Sequence, residues 1–119
     1  MKAIEAIAQL RAVKENQYDD AELLRWLSDL DGQIYSEHIK PHEGTDDIAH
    51  GPHDQESVLM IPEPYTNVYI TWLTAMVDYH NGELDRFNNS MVMYNMALMA
   101  FVNWFNRTNM PKQDFILRT

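Results

Sequence analysis

The feature that most restricts how this chain can fold is a stripe of apolar side chains between Tyr65 and Arg107. Leu73, Val77, His80, Leu84, Phe87, Met91, Tyr94, Leu98, Phe101 and Phe105 follow alternating four- and three-residue steps, with Tyr69, Trp72 and Met76 beside the early part. That spacing keeps one face of an α-helix apolar, whereas a strand would need alternation every second residue. The phase survives across Asn81-Gly82, so two shapes are open. An unbroken helix would be roughly 65 Å long at about 1.5 Å per residue, several times the radius of a domain this size. Asn-Gly is also a strong turn signal, and a break there gives two antiparallel helices, Tyr65 to about Asn81 and about Glu83 to Arg107. The break is the favoured reading.

Two further helices precede the stripe. Lys2 to Val13 sets Ile4, Ile7, Ala8, Leu10 and Ala12 or Val13 at mixed three- and four-residue spacing among good helix formers. Asp19 then opens a capping box: it can accept from the Glu22 amide while Glu22 reaches back, with Tyr18 and Leu23 placed as a hydrophobic staple. Leu23, Trp26, Leu27, Leu30, Ile34 and His38 or Ile39 keep helical period up to Pro41. Gly32 inside this helix implies a close helix contact or a kink. Residues 40–64 hold Pro41, Gly44, Gly51, Pro52, Pro62 and Pro64 and little periodicity, so they form a long connection between helices two and three. Within it Val58-Leu59-Met60-Ile61 reads as a strand fragment or as a segment packed on the helices. Pro64 suits the first position of helix three. Residues 108–119 are expected to be a mobile tail carrying a small apolar plug, Phe115-Ile116-Leu117. The fold class expected is therefore all-α, a small bundle of about four helices in one domain, 1–119.

Charge says what such a bundle is unsuited to. The net −9 divides into −3 over residues 1–40 (five Lys/Arg, eight Asp/Glu), −6 over 41–64 (none, six) and 0 over 65–119 (four, four). With no basic cluster, sequence-independent DNA binding by displacement of counterions is not expected. The chain has no cysteine, which removes disulfides, thiolate metal sites and a cysteine nucleophile together. No stretch has the length or apolarity of a signal peptide or membrane span, so a soluble protein of a reducing compartment is expected.

Candidate sites are few. His42, His50 and His53 share the connection with Glu43, Asp46, Asp47 and Asp54, but they lack the tightly paired spacing of metal ligands, and a solvated acidic loop is the expectation. His80 is expected to be a hydrogen-bonded core histidine. No nucleophile elbow, phosphate-binding glycine loop, zinc-protease or dinucleotide fingerprint occurs. The close carboxylates Asp29 with Asp31, and Glu83 with Asp85, do not share a helix face and should be solvated. Neither catalysis nor a cofactor is expected. Asn81, Asn88 and Asn95 are seven apart and would make a neutral polar row beside the apolar stripe, suited to contacts between helices or simply an uncharged exposed face. Met93, Met96 and Met99 point partly away from the Leu84, Phe87, Met91, Leu98 line, so the last helix is apolar on more than one side. That pattern suggests a subunit interface, with a central core helix as the alternative; burial of all these residues inside one subunit would remove the interface.

Several segments resemble a family. Asn16-Gln17-Tyr18, Trp26-Leu27-Ser28-Asp29-Leu30-Asp31-Gly32-Gln33-Ile34-Tyr35, Pro62-Glu63-Pro64-Tyr65, Asp78-Tyr79-His80-Asn81-Gly82-Glu83, Phe87-Asn88-Asn89-Ser90-Met91 and Trp104-Phe105-Asn106-Arg107 are similar to small proteins encoded beside the capsid genes of tailed bacteriophages and prophages, identified as head-to-tail connector or adaptor proteins. The resemblance spans most of the chain apart from the acidic loop and the last ten residues, and it rests on sequence habit, without a chemical motif. It implies an all-α subunit of the virion that forms a homo-oligomeric ring, commonly twelvefold, docked on the portal protein beside tail-completion proteins, with DNA passing through without specific binding. It implies no catalytic residues. On that expectation Asn81, Asn88, Asn95, Met93, Met96 and Met99 belong to the ring interface. The loop acids Glu43, Asp46, Asp47, Asp54 and Glu56 would face the channel, where a negative wall repels DNA. The rival expectation is a cytoplasmic assembly chaperone, or acidic binding module, that never enters the particle.

Overall fold

The computed structural model describes residues 1–112. Its regular structure is α1 (Ala3–Val13), α2 (Asp20–Ile34), a π-helical turn (Tyr35–Ile39), α3 (Asn67–His80) and α4 (Leu84–Thr108). Over the described residues the protein is thus an all-α bundle of four helices with a long acidic connection between α2 and α3. The stripe is broken at Asn81-Gly82: Gly82 takes φ 75°, a left-handed turn that favours glycine, and its N–H donates to the Tyr79 carbonyl. The two halves fold back as an antiparallel pair.

The helix starts follow local chemistry. Asp19 accepts from the Glu22 amide at 2.9 Å, satisfying a free donor at the head of α2. The Glu22 carboxylate does not reach back; it binds Arg25 at 2.7 Å instead. The reciprocal arm of a capping box appears at α1, where the Lys2 amide donates to Glu5 at 2.6 Å. Helix α3 begins at Asn67 and not at Pro64, because a turn closed by Tyr65 N–H to Pro62 C=O precedes it. The Thr66 hydroxyl donates to Glu63 across the same turn, at 3.0 Å.

One core joins all four helices. Ala3, Ala6, Ile7 and Leu10 of α1, Leu23, Trp26, Leu27, Leu30 and Ile34 of α2, Val68, Tyr69, Leu73 and Val77 of α3, and Tyr94, Phe101, Val102 and Phe105 of α4 are buried together. Each large aliphatic side chain so covered stabilises the fold by about 1.5–3 kcal/mol. The inward face of α1 is shifted from expectation: Ile4 and Ala8 lie outward, and Ala3 and Ala6 take the inner positions. The small side chains let α1 lie close to its neighbours. Gly32 meets nothing within 4 Å of where a Cβ would stand, so no close helix contact explains it. The departure from α-geometry comes three residues later, where Lys40 N–H reaches the Tyr35 carbonyl at 2.8 Å. That i to i+5 bond turns both Tyr35 and Ile39 inward.

The connection is laid down on the bundle in detail. Residues 55–59 run beside the chain's start, with Ala3 N–H to Ser57 C=O at 2.8 Å and Leu59 N–H to Met1 C=O at 2.8 Å. Val58 forms a single bridge with Lys2, while Leu59 and Ile61 are buried, so Val58-Leu59-Met60-Ile61 serves as a packed edge segment. At the other end Glu43 N–H donates to Met110 C=O and Lys112 N–H to Pro41 C=O. Residues 109–112 are therefore tied down, contrary to a tail that is free from 108 onward. The apolar plug Phe115-Ile116-Leu117 lies outside the described residues.

Candidate functional site

The last helix leaves one face unused by the core. Tyr94, Phe101, Val102 and Phe105 point inward, whereas Val92 is 58% exposed, Met93 55%, Met96 65% and Met99 53%. Asn88, Asn89, Asn95, Ala100, Asn103 and Asn106 are exposed on the same outer surface. From Phe87 to Asn106 the sequence has no Asp, Glu, Lys or Arg. A soluble monomer ordinarily covers such a helix face with charge. An outer face of Met, Val, Ala and Asn has instead the composition of a protein–protein contact, poor in charge and rich in adaptable side chains.

One residue expected on that face, Asn81, sits elsewhere, and His80, expected in the core, does not lie there. Asn81 is in the α3–α4 turn, so it does not continue the row of Asn88 and Asn95; its side chain accepts from the Tyr18 hydroxyl at 2.8 Å and ties that turn to the α1–α2 connection. The sevenfold spacing carried across a break and so lost its geometric meaning. His80 is exposed and not in the core, with its ring stacked on Trp26 at 4.9 Å. It lies at the turn, on the edge of the bundle, and Leu84 just beyond the turn is likewise 60% exposed.

Beside α4 lies an apolar groove of about 290 Å³, lined by Val13, Ile70, Thr71, Thr74, Ser90 and Met93 among others. The outer side of α3 that forms it is also free of charge from Asn67 to Val77. Its nearest ions are drawn inward: Lys14 meets Asp78 at 2.5 Å, with Asp78 almost fully buried. Ser90 donates to the second Asp78 oxygen at 2.8 Å.

The loop acids Glu43, Asp46, Asp47, Asp54 and Glu56 are all exposed, but they do not form one cluster. Glu43, Asp46 and Asp47 lie at the end where Met110–Lys112 pairs with the connection, and Asp46 stands 3.8 Å from Lys112. Asp54 and Glu56 lie at the start of α1. There Asp54 accepts from the Glu56 amide at 2.9 Å, and Glu56 pairs with Lys2 at 2.9 Å and pushes that ammonium above its usual pKa.

The three loop histidines hold the connection in place, each through a different partner. His42 sets its edge on the Phe105 ring at 4.8 Å, and His50 stacks on Tyr35 at 3.8 Å. His53 points its Nε2 at Asp31, 2.7 Å away, and its backbone N–H donates to Ser28 Oγ at 2.8 Å. Among the described residues no three His, Asp or Glu side chains converge as metal ligands do.

Asp31 corrects the expectation of a solvated carboxylate most sharply. It is fully buried and accepts from His53, from the Tyr69 hydroxyl at 2.7 Å and from the Met60 amide at 3.1 Å. The Tyr69 oxygen in turn accepts from the Ile61 amide at 2.7 Å. Burial first, and the Asp31 charge second, push the Tyr69 hydroxyl well above the usual tyrosine range. The signal was in the sequence: Asp31 is four residues after Leu27 and three before Ile34, on the apolar face of α2. Asp78 occupies the same kind of position, three residues after the buried Ala75.

No described helix is long and apolar enough to cross a membrane. No protein-family model matches the chain, and neither a curated protein nor a solved structure matches it.

Proposed function

We propose that this protein is a non-catalytic structural subunit of a tailed-phage particle: a head-to-tail connector that docks on the portal protein and assembles with its own copies into a ring around the DNA channel. The observation that carries the reading is the uncharged outer face of α4. The contact surface of a ring subunit must be free of repulsion between identical copies, and a chain of net charge −9 meets that condition best through a face with no ions. The segments that resemble connector proteins supply the second support. They include Phe87-Asn88-Asn89-Ser90-Met91, at the head of that same face.

In this arrangement Asn88, Asn95, Met93, Met96 and Met99 lie in the subunit contact, and Asn81 contributes at its end through the turn. The acids Glu43, Asp46, Asp47, Asp54 and Glu56 border the channel, where their charge keeps passing DNA from sticking to the wall. The rigid backing of the connection by His42, His50 and His53 suits a wall that must hold its shape.

Mass spectrometry of purified particles from a lysogen or infected culture tests the reading directly. The chain is expected in particles that contain the portal protein, in a fixed ratio to it. Recovery only from particle-free lysate refutes the connector and identifies an assembly chaperone.

A further inference from the structure

We propose that Asn81 is a self-deamidation site that the closed α3–α4 turn holds in check, the reaction starting when that turn opens. The chemistry needs only the chain and water, and none of it depends on the protein's being a connector. The Gly82 amide nitrogen gives up its proton to solvent base and attacks the Asn81 side-chain carbon. The bond from that carbon to Nδ2 breaks, ammonia leaves, and a cyclic imide remains. Water then opens the ring on either side. Opening at the side-chain carbon leaves an aspartyl residue; opening at the main-chain carbon leaves an isoaspartyl one, with the backbone routed through the side chain. Either way ammonia is lost, one water is gained, and one negative charge joins a chain already at −9.

Position selects this asparagine from the nine in the chain. It alone precedes glycine, whose lack of a side chain leaves the attacking nitrogen unhindered. Six of the others lie in α3 or α4, where helical geometry and a larger following residue both oppose the ring. The turn also sits at the edge of the bundle. Tyr79 is 54% exposed, and His80, Asn81 and Gly82 are exposed with it. A segment with so few buried contacts opens locally before the core does.

The closed turn opposes the attack through its backbone and through Tyr18. Ring closure needs the Gly82 nitrogen and the Asn81 Cβ on the same side of the Cα–C bond. With Asn81 at φ −80° and ψ −6°, that nitrogen eclipses the Asn81 amide nitrogen instead, about a third of a turn from Cβ. Rotating ψ would break the bonds that close the turn, Gly82 N–H to Tyr79 C=O at 3.0 Å and Glu83 N–H to Asp78 C=O at 2.9 Å. The Tyr18 hydroxyl, donating to Asn81 Oδ1 at 2.8 Å, ties the side chain to the α1–α2 connection. The fold has reason to hold the reaction off. An aspartyl carboxylate could still accept from Tyr18, but an isoaspartyl residue adds a main-chain carbon to a turn whose hydrogen bonds fix its length.

The full chain is kept at mildly alkaline pH, folded or in denaturing urea, and deamidation is followed by peptide mass spectrometry with enzymatic methyl-labelling of isoaspartate. In urea Asn81 should be modified ahead of every other asparagine and give both products. In the folded chain its rate should be lower by about tenfold or more. Tyr18→Phe, shown by its urea midpoint to be folded, should raise the folded rate and leave the rate in urea unchanged. Equal rates in the two states, no lead for Asn81 in urea, or a folded rate unmoved by Tyr18→Phe would each overturn the proposal.

Discussion

Asp31→Ala is the perturbation with the largest expected consequence. The carboxylate takes three hydrogen bonds, from Tyr69 Oη, His53 Nε2 and the Met60 amide, at 2.7, 2.7 and 3.1 Å. It has no solvent exposure, and the His53 side chain has 3%. Removing it strands three donors. Each buried group left without a partner costs about 1–3 kcal/mol, toward the low end where neighbours and water adjust. An expected loss of about 3–5 kcal/mol follows, against a total of about 5–15 kcal/mol for a domain this size. With a urea slope of about 2 kcal/mol per molar, the midpoint should fall by about 2 M at unchanged slope. Asp31→Asn keeps an acceptor for Tyr69 and turns a donor toward the others, so its midpoint should lie between the two. Hydrogen exchange localises the effect: the Met60 and His53 amides should lose protection before the amides of α4. A midpoint shift below about 0.5 M, or Met60 exchange unchanged, would show that Asp31 does not clasp the connection.

Alkaline pH should unfold the protein through Tyr69. Its folded pKa is raised, so the stability it contributes is fully present below the unfolded value of 10.0 and is lost as pH climbs beyond it. Each unmatched proton contributes about 1.4 kcal/mol per pH unit. Tyr94, pushed up to about 12 chiefly by burial, adds to the same slope. Urea midpoints for Tyr69→Phe measured between pH 9 and 11 should fall less steeply with pH than the parent's, and equal slopes would contradict the assignment. Replacing Met93, Met96 and Met99 together by Ser should leave the urea midpoint nearly unchanged, since exposed sites change stability by about 0.5 kcal/mol or less each, while abolishing assembly measured by light scattering on portal-containing particles. Lys14→Met should destabilise by about 3 kcal/mol by leaving Asp78 without its cation, and adding Asp78→Asn should recover most of that loss; no recovery would mean the two side chains are not coupled.

The helices were legible because their apolar periods are long and their ends carry local signals. Asp19 before α2 and Asn81-Gly82 between α3 and α4 acted through neighbours a few residues away, and sequence spacing captures such effects. Errors arose where the partner is distant. Asp31 was read with Asp29 as an exposed pair because His53, 22 residues on, and Tyr69, 38 residues on, are invisible to a local pattern. The connection likewise reads as a structureless acidic stretch, since its anchors are single contacts to α2, to α4 and to both flanking segments. His80 failed for the opposite reason: it fitted the period, but at the turn it meets the Trp26 ring of α2 on the bundle's edge and stays exposed. The exposed methionines were legible as apolar positions on more than one side, and only the bundle's small size separates an outer contact face from a second core.

The pairing of the connection with segments from far along the chain also bears on how the protein is made. Ala3 and Met1 hydrogen-bond to residues 57 and 59, and Met110 and Lys112 to residues 43 and 41. A chain leaving the ribosome from its amino end has α1 complete while the edge that covers it is still untranslated. The far end of the connection is not secured until the last helix has been released. Closure of these long-range contacts should therefore come late in folding. Until then Leu59 and Ile61 stay open to other apolar surfaces, including those of neighbouring nascent copies.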